Sequence, residues 1–234
     1  MKPIGTVIVG YGYATRTFHA PLVAMEPGLR LHGIVSGDAQ KRSALEVAHG
    51  CRSFATLEQA LDDPAVELVV IATPHQLHAP QSIAALRAGR HVVTDKPMCL
   101  STSECDAMIA ASRDAKRLLS VFHNRRWDGG HLTLCDVIAQ GRLGKLRWLE
   151  LSMNKHGLSK KSAWRNDPAT AGGRLIDLGV HLIDQALQLI DAEPVSVTTY
   201  LQKDWSEAPV ESCCTIVIGF SDGRHATIDV GSMT

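Results

Sequence analysis

The sequence has few aromatic residues and no excess of charge of either sign. Aromatic residues make up 5% of the 234 residues, and 24 Lys and Arg residues balance 24 Asp and Glu residues to a formal net charge of zero. The basic residues are interspersed with acidic ones, which excludes the electrostatic footprint of a protein that binds nucleic acid or an anionic membrane. A small molecule is therefore the expected partner.

Long apolar runs are also missing, although 45% of the residues are hydrophobic. The stretch 1–12, MKPIGTVIVGYG, has one lysine before a short apolar segment that glycines interrupt. This segment is too short for the core of a signal peptide or for a membrane span. We therefore expect a cytoplasmic protein of one or two domains, long enough to bury a sizeable core.

Cysteines at metal-binding or redox spacing are a third absence. No C-x-x-C motif or zinc-finger spacing occurs among the six cysteines, Cys51, Cys99, Cys105, Cys135, Cys213 and Cys214. Neither a disulfide framework nor a structural zinc site is expected, because thiols in a reducing compartment explain this distribution. His75 and His78 are spaced like two metal ligands, but no third or fourth ligand accompanies them nearby, so we predict no metal site.

Short apolar runs rich in β-branched residues alternate with helical patterns over the first half of the chain. The runs lie at 7–10, 31–36, 51–54, 67–73, 91–94 and 118–123, with helices predicted at 39–49, 56–62, 76–88 and 101–116. The last helix opens with Ser101 as N-cap and Glu104 three residues later, a capping box. Continuously apolar strands between helices are typical of βαβ units, which predicts a doubly wound parallel α/β sheet over residues 1–123.

The pattern changes after residue 123. A helix is predicted near 127–140, an alternating half-buried strand at 145–154, and a helix that begins near 172 and ends before Pro194. Strands follow at 194–202, 212–220 and 225–231, with a hairpin turn at 221–224. We predict a second, α+β domain over residues 124–234 with a mostly antiparallel open sheet, which the sequence leaves incomplete.

Gly10 and Gly12 lie directly between the first predicted strand and the helix after it. Dinucleotide binding needs a tight turn at the first glycine and bare backbone at the second, so that the pyrophosphate reaches the N–H groups at the helix N-terminus. Thr15 occupies the position where a third Gly or Ala would let helix and strand pack closely. A lone G-x-G is a weak signal, which its place on the first strand of a βαβ pattern strengthens.

The end of the second predicted strand bears on the choice of dinucleotide. An acidic residue there would bind the ribose 2′-hydroxyl of NAD. The sequence has Ser36 at this place, then Asp38, and then Lys41 and Arg42 a turn beyond. A serine followed by basic residues suits a 2′-phosphate better, so NADP is favoured over NAD, although Asp38 could also reach the ribose.

Lys96 stands in the stretch T-D-K-P, residues 94–97, at the end of the fifth predicted strand. Ligands of open parallel sheets bind beyond the carboxyl ends of the strands, so a lysine there is expected to face the cofactor cleft. Pro97 disfavours α geometry for Lys96 and thereby restricts where its side chain points.

Asp177 and His181 are four residues apart in the otherwise mostly aliphatic stretch 172–185. At a helical repeat they share a narrow polar stripe with Asp184 and Gln188. By periodicity alone this stripe is more typical of a helix face that contacts water than of a catalytic pair. An imidazole with a carboxylate one turn away is also a suitable general acid/base pair.

Several motifs together resemble the glucose-fructose oxidoreductase / inositol dehydrogenase (Gfo/Idh/MocA) family. They are, in chain order, G-Y-G-Y-A, T-P-H-Q-L-H (73–78), D-K-P, F-H-N-R-R-W (122–127), W-R (164–165) and G-G-R-L-I-D-L-G-V-H. Their order and spacing across nearly the whole chain make the resemblance specific. It implies an N-terminal Rossmann domain, followed by an α/β domain whose open sheet supports a homodimer or higher homo-oligomer, and oxidoreduction of sugars, inositols or similar polyols with NAD(P).

The resemblance also implies roles for individual residues. The family's E-K-P lysine falls on Lys96 and its D-x-x-x-H pair on Asp177 and His181. These three are the predicted catalytic residues, with His181 as general acid/base and Lys96 as hydrogen-bond donor to the reacting oxygen, or with those two roles exchanged. The predicted cofactor-binding residues are Gly10, Gly12, Tyr13, Ala14, Ser36, Thr73, Pro74, His78, Asp95 and Lys96. The predicted substrate-binding residues are Asn124, Arg126, Trp164 and Arg165.

The sequence departs from the family pattern at four points. Asp95 replaces the usual glutamate, His75 replaces a common asparagine, and Thr15 breaks the glycine fingerprint. Members are also generally longer, and the missing part belongs to the C-terminal sheet. Either a fragment or a member with a minimal second domain is expected.

Two other functions stay open at this point. Some relatives use bound NAD for transient oxidation during glycoside hydrolysis, without net redox change. A nucleotide-binding sensor without catalysis is the other, although binding alone does not require Lys96, Asp177 and His181 together.

Overall fold

The computed structural model describes residues 2–155, 167–168, 172–203 and 209–232. Two compact units divide the chain, Met1–Phe122 and His123–Thr234, and the boundary predicted from the sequence lies one residue later. Within the described ranges, no helix is both long and apolar enough to cross a bilayer.

The first unit is a parallel α/β domain, as predicted. Its six-stranded sheet has the order β3-β2-β1-β4-β5-β6, and every neighbouring pair is parallel. The strands are β1 (Ile4–Val9), β2 (Leu29–Val35), β3 (Arg52–Phe54), β4 (Leu68–Ile71), β5 (His91–Asp95) and β6 (Leu119–Phe122).

Helices cover both faces of this sheet. They are α1 (Ala20–Met25), α2 (Ala39–His49), α3 (Leu57–Leu61), α4 (His78–Arg87) and α5 (Thr102–Ala115), with a π-helical turn at Thr15–His19 and a 3₁₀ turn at His75–Leu77. Successive strand residues point to opposite faces, so Val7 packs toward α3 and α4 while Ile8 packs toward α1 and α2. The hydroxyl of Ser101 accepts the backbone N–H of Glu104 at 3.2 Å, which confirms the predicted cap of α5.

The strand order places a crevice at the carboxyl ends of β1 and β4. These strands are neighbours although β2 and β3 lie between them in sequence, so the chain reverses its direction of progress across the sheet at this point. Ligands of open α/β sheets bind at such a switch point. The segments that follow β1 and β4 are therefore expected to line a binding site.

The second unit is built on a separate four-stranded sheet with the order β7-β10-β9-β8. The strands are β7 (Trp148–Asn154), β8 (Pro194–Gln202), β9 (Cys213–Phe220) and β10 (His225–Gly231), and the helices are α6 (Gly129–Ala139) and α7 (Val180–Leu189). Strands β8, β9 and β10 pair antiparallel, as predicted, whereas β10 and β7 pair parallel. Apolar residues of α7 pack with Ile216, Ile218 and Ile228 in the core of this unit.

Candidate active site

The loop after β1 has the backbone geometry that a dinucleotide requires. Gly10 has φ of +98°, and a Cβ atom there would lie 2.6 Å from the carbonyl oxygen of Ala72. Only glycine meets both conditions without strain. A Cβ built on Gly12, in contrast, would have no protein atom within 4 Å, so the space in front of its backbone is open.

Thr15 reinforces this loop at the position where the fingerprint has a small residue. It is fully buried, and its hydroxyl donates a hydrogen bond to the carbonyl oxygen of Gly10 at 2.7 Å. The side chain therefore ties the first turn of the π-helical segment Thr15–His19 to the glycine turn. Thr15 thus adds a side-chain hydrogen bond to the loop that a Gly or Ala at this position could not make.

A cavity of about 380 Å³ lies at the carboxyl ends of β1, β2 and β4. Its lining contains main-chain and small polar groups together with a few apolar side chains: Val9, Gly10, Tyr11, Val35, Ser36, Gly37, Ala55, Thr56, Leu57, Glu58, Thr73 and Gln81. Three of the predicted cofactor-binding residues, Gly10, Ser36 and Thr73, thus share one cavity. Together with the open space at Gly12, this shape and chemistry fit a dinucleotide.

Ser36, at the end of β2, lines that cavity and is buried. Its carbonyl oxygen accepts a hydrogen bond from Nη1 of Arg42 at 2.8 Å. Asp38 serves as the N-cap of α2, since its Oδ1 accepts the backbone N–H groups of Gln40 and Lys41. The hydrogen bond from the backbone N–H of Lys41, together with the ammonium group of Lys41, lowers the pKa of Asp38, although burial acts to raise it. The carboxylate of Asp38 therefore binds the N-terminus of α2, while the guanidinium of Arg42 lies beside Ser36.

The loop after β4 is held by buried side chains. Thr73 donates its hydroxyl hydrogen to Oε1 of Gln81 at 2.8 Å, and Pro74 precedes the 3₁₀ turn. His75 and His78 are both buried, with ring centroids 5.7 Å apart in an edge-on arrangement. The His78 ring makes hydrogen bonds to two main-chain carbonyl oxygens, so its role as a cofactor contact stays a prediction.

Lys96 is half-buried at the end of β5, two strands away from the glycine loop. The carboxylate of Asp95 accepts the backbone N–H of Lys96 at 2.7 Å and lies 3.3 Å from Nε2 of the buried His19. Burial acts to raise the pKa of Asp95, but the hydrogen bond and charge of His19, with the contributions of Lys96, hold that pKa below its usual value. Asp95 is therefore an anion that fixes the backbone in front of the lysine.

In the second unit, glycine and a carboxylate shape the start of the helical segment that carries Asp177 and His181. Gly173 has φ of +112°, and a Cβ atom there would collide with the carboxylate of Glu211. The same carboxylate accepts the backbone N–H of Leu175 at 2.9 Å. Glu211 therefore satisfies an N–H group at the helix N-terminus, and glycine is needed to admit it.

Asp177 belongs to the π-helical turn Leu175–Gly179, and His181 to the first turn of α7. His181 is 6% exposed and Asp177 is half-buried. The guanidinium of the buried Arg174 approaches Asp177, with Nη1 and Oδ2 3.6 Å apart. The predicted pair is thus set in the interior of its unit, with a cation next to the aspartate.

The structure describes two of the four predicted substrate-binding residues, Asn124 and Arg126. Asn124 is half-buried in the 3₁₀ turn Asn124–Trp127, and Arg126 of the same turn binds Asp184 of α7 through two hydrogen bonds of 2.8 and 2.6 Å. Trp164 and Arg165 lie outside the described residues. Asp184, which shares the polar stripe of the helix, is thus half-buried in an ion pair instead of facing water.

Two family models match the chain and together cover nearly all of it. The model described as "Oxidoreductase family, NAD-binding Rossmann fold" matches residues 4–123, and the GFO/IDH/MocA C-terminal domain matches residues 131–234. The chain belongs to the Gfo/Idh/MocA oxidoreductase family. The family predicted from the sequence motifs is therefore confirmed.

Individual members of the Gfo/Idh/MocA family support the same assignment. The chain is 39% identical over 200 residues to the uncharacterized oxidoreductase YdgJ of Escherichia coli, covering 83% of the chain and 55% of YdgJ. It is 35% identical over 230 residues to the scyllo-inositol 2-dehydrogenase (NADP+) IolW of Bacillus subtilis, covering 97% of the chain and 60% of IolW. It therefore spans less than two thirds of either relative.

Among solved structures of similar proteins is an NAD-binding protein from Listeria innocua. It superposes with a TM-score of 0.93 at 32% identity, covering 100% of this chain and 68% of the Listeria chain. The agreement shows that both units have folds found in Gfo/Idh/MocA oxidoreductases.

Three residues of this Gfo/Idh/MocA chain were missed by sequence reasoning. His19 contacts the predicted residue Asp95 across 76 positions, and Arg174 contacts the predicted residue Asp177 across 3 positions. Glu211 accepts the backbone N–H of Leu175, two residues before Asp177, across 36 positions. Arg174 was detectable, because it lies one helical turn before Asp177. The other two had no local signal. Within the described ranges, no group of three or more His, Cys, Asp or Glu side chains could hold a metal ion.

Proposed function

We propose that the protein is an NAD(P)-dependent dehydrogenase or reductase that acts on a secondary alcohol or ketone of a sugar, an inositol or a similar polyol. The observation that carries this proposal is Lys96, held half-buried beside Asp95 at the same edge of the sheet as the glycine loop and its cavity. The scyllo-inositol dehydrogenase activity for which the relative IolW is named supports the substrate class.

The chain's own residues supply the proton chemistry of the proposed reaction. A bound nicotinamide accepts or delivers the hydride. In the oxidative direction His181 accepts the proton of the substrate hydroxyl, and in the reductive direction it returns that proton to the carbonyl oxygen. Lys96 donates a hydrogen bond to the same oxygen and stabilises the negative charge that develops there. Asp177, one helical turn before His181, orients the imidazole and favours its cationic form.

NADP is the proposed cofactor. Asp38 caps α2 with its carboxylate, and Arg42 lies against the carbonyl of Ser36 at the end of β2. A guanidinium in that position suits a ribose 2′-phosphate, which it can bind with charge-assisted hydrogen bonds. IolW, by its name, uses NADP+.

Asn124, Arg126, Trp164 and Arg165 are the proposed contacts to substrate hydroxyl groups. All four carry polar groups that can donate hydrogen bonds to a polyol. For Arg126 this role must compete with its two hydrogen bonds to Asp184.

We also propose a homo-oligomer formed through the sheet of the second unit, and a cytoplasmic location. The edge strand β8 is exposed along all nine residues, and Tyr200 on it is 64% exposed. An aromatic side chain on an exposed sheet is a common element of protein interfaces. The six cysteines are free thiols, which suits a reducing compartment.

The decisive experiment has two stages and uses the chain as it stands. First, NADPH and NADH are titrated separately against the protein by fluorescence, and we expect NADPH to bind more tightly. Second, NADP+ reduction is followed by absorbance with scyllo-inositol, related inositols, aldoses and glycosides of those sugars. Stoichiometric NADPH formation with one substrate supports the dehydrogenase, product without a change in absorbance supports the glycoside hydrolase, and cofactor binding without turnover of any substrate supports the sensor.

A further inference from the structure

The turn that carries Lys96 is held on both sides by buried groups of the first unit. On the N-terminal side, Asp95 binds both the Lys96 backbone N–H and the ring of His19. On the C-terminal side, Pro97 is buried and its carbonyl oxygen lies 2.7 Å from Nδ1 of His78. The position of the lysine backbone therefore depends on two histidines that are remote from it in sequence.

The other ring nitrogen of His78 lies against a second main-chain carbonyl group. The ring is 1% exposed, and its Nε2 lies 2.9 Å from the carbonyl oxygen of Thr73. The ring therefore fills the space between two carbonyl groups, and a ring N–H group can donate a hydrogen bond to either of them.

The two carbonyls belong to different parts of the candidate site. Thr73 follows β4 and lines the cavity, whereas Pro97 follows the catalytic-lysine position at the end of β5. One buried ring thus joins the loop beside the proposed cofactor to the turn that carries Lys96. A bridge of this geometry fixes the distance between the two loops more tightly than the strand pairing alone, because that pairing ends at Ile71 and Thr94.

We propose that His78 is a positioning residue that holds Lys96 in register with the cofactor cavity through the Pro97 carbonyl. The proposal rests on the proposed role of Lys96 as hydrogen-bond donor to the reacting oxygen. His78 itself contacts neither the substrate nor the reacting atoms.

Two substitutions at position 78 separate the two bonds. In His78→Asn the side-chain amide nitrogen occupies the place of Nδ1 and keeps the bond to Pro97, while in His78→Gln it occupies the place of Nε2 and keeps the bond to Thr73. Each variant loses the buried ring, so both should lower the unfolding temperature similarly. We expect His78→Gln to lower kcat roughly 10- to 100-fold, the effect of a displaced catalytic group, and His78→Asn to lower kcat less. The Kd for NADPH should be the same in both variants.

Equal kcat values for the two variants would overturn the proposal, since a purely structural role does not distinguish them. Lys96→Met separates this result from failure of the proposed function. If Lys96→Met turns over at the wild-type rate, the function assigned to the lysine is wrong. If Lys96→Met is inactive and the two position-78 variants are equal, only the positioning role is wrong. In the Lys96→Met background, His78→Gln should cause no further loss.

A measurement on the wild-type chain tests the Pro97 contact without any turnover. In protein labelled with ¹⁵N-histidine, correlation spectra should show an N–H proton on Nδ1 of the His78 ring, assigned through bonds from its backbone. A ring whose Nδ1 carries no proton would overturn the proposal, because it could not donate a hydrogen bond to the Pro97 carbonyl. This test holds even if substitutions at so buried a site prevent folding.

Discussion

Lys96 and His181 differ in how their surroundings support the proposed chemistry. Lys96 follows directly after the anionic, half-buried Asp95, so the lysine side chain has a negative charge one residue away. His181 is almost fully buried in α7, with Asp177 one turn before it. A lysine next to a carboxylate suits a permanent hydrogen-bond donor, whereas a buried histidine beside an aspartate suits proton transfer.

The first prediction concerns these two residues. Lys96→Ala and His181→Ala should each lower kcat by roughly 10²- to 10⁴-fold, the usual loss on removing a general acid/base or a donor to a developing oxyanion. Steady-state assays by NADPH absorbance measure kcat, and fluorescence titration measures NADPH binding, which should change little. Lys145→Ala and His225→Ala, at exposed positions, are the matched controls. Near-wild-type rates for both active-site variants would show that the assignment is wrong.

Residue identity alone singled out some residues of the candidate site and missed others. Gly10 and Lys96 were predicted because strand ends and glycine turns leave local patterns, and their roles stay predictions. Thr15 was correctly recognised as a departure from the fingerprint, but its hydroxyl bond to Gly10 depends on the exact path of a π-helical turn. His19 gave no signal, because its partner Asp95 is 76 positions away.

At the scale of elements, a π-helical turn directly precedes an α-helix in each of the two units. The two turns span Thr15–His19 and Leu175–Gly179. A π turn contains one more residue than an α turn, so it changes which side chains share a face, and such turns often occur at functional sites. A uniform helical repeat therefore could not say that Asp184 would be half-buried against Arg126.

The second prediction concerns this contact between the 3₁₀ turn Asn124–Trp127 and α7. Burial acts to raise the pKa of Asp184, but the Arg126 hydrogen bond and the charges of His123 and Arg126 hold that pKa below its usual value. Arg126→Met should lower the free energy of unfolding at neutral pH by about 1–3 kcal/mol, as expected for a hydrogen-bonded charge that loses its partner. Urea unfolding curves at several pH values measure the difference.

The pH dependence of that loss follows from linkage. A carboxyl group whose pKa is lowered in the folded state stabilises the fold above its unfolded pKa of about 3.9, and this contribution disappears as the pH falls through the folded pKa. The gap between wild type and Arg126→Met should therefore close in acid. Arg125→Met is the control, because Arg125 pairs with Asp128 at the surface, where about 0–1 kcal/mol is at stake. Equal losses for the two variants, or a gap independent of pH, would contradict the prediction. A change in KM alone would instead support substrate binding by Arg126.

At the scale of the whole molecule, the sheet of the second unit has one face in its core, while among the described residues the other face is half-buried on β9 and exposed on β8. Cys214, Ile216 and Ile218 of β9 are buried, so the alternate positions point to the opposite face. Tyr200 of β8 pairs with Thr215 and belongs to that opposite face. An exposed edge strand of this length is a surface that natural proteins usually cover.

The third prediction is that this face joins copies of the chain. Light scattering coupled to size exclusion should give the mass of a dimer or a higher oligomer for the wild type, and Tyr200→Lys should shift it toward the monomer, since a buried charge without a partner opposes association. Val47→Lys, at a residue that is 89% exposed on α2 of the first unit, should leave the mass unchanged. A wild-type monomer at all concentrations would exclude the proposed assembly.

The amino-acid sequence by itself predicted the order of the apolar runs, the glycine turn after β1 and the place of Lys96 after β5. It could do so because strand burial and tight turns are properties of short segments. The parallel pairing of β7 with β10 and the two histidine contacts to the lysine turn were decided by the tertiary structure. His78 and Pro97 are 19 positions apart, and His19 and Asp95 are 76 apart. Contacts over such separations depend on how strands and helices pack, and no local pattern of residues encodes them.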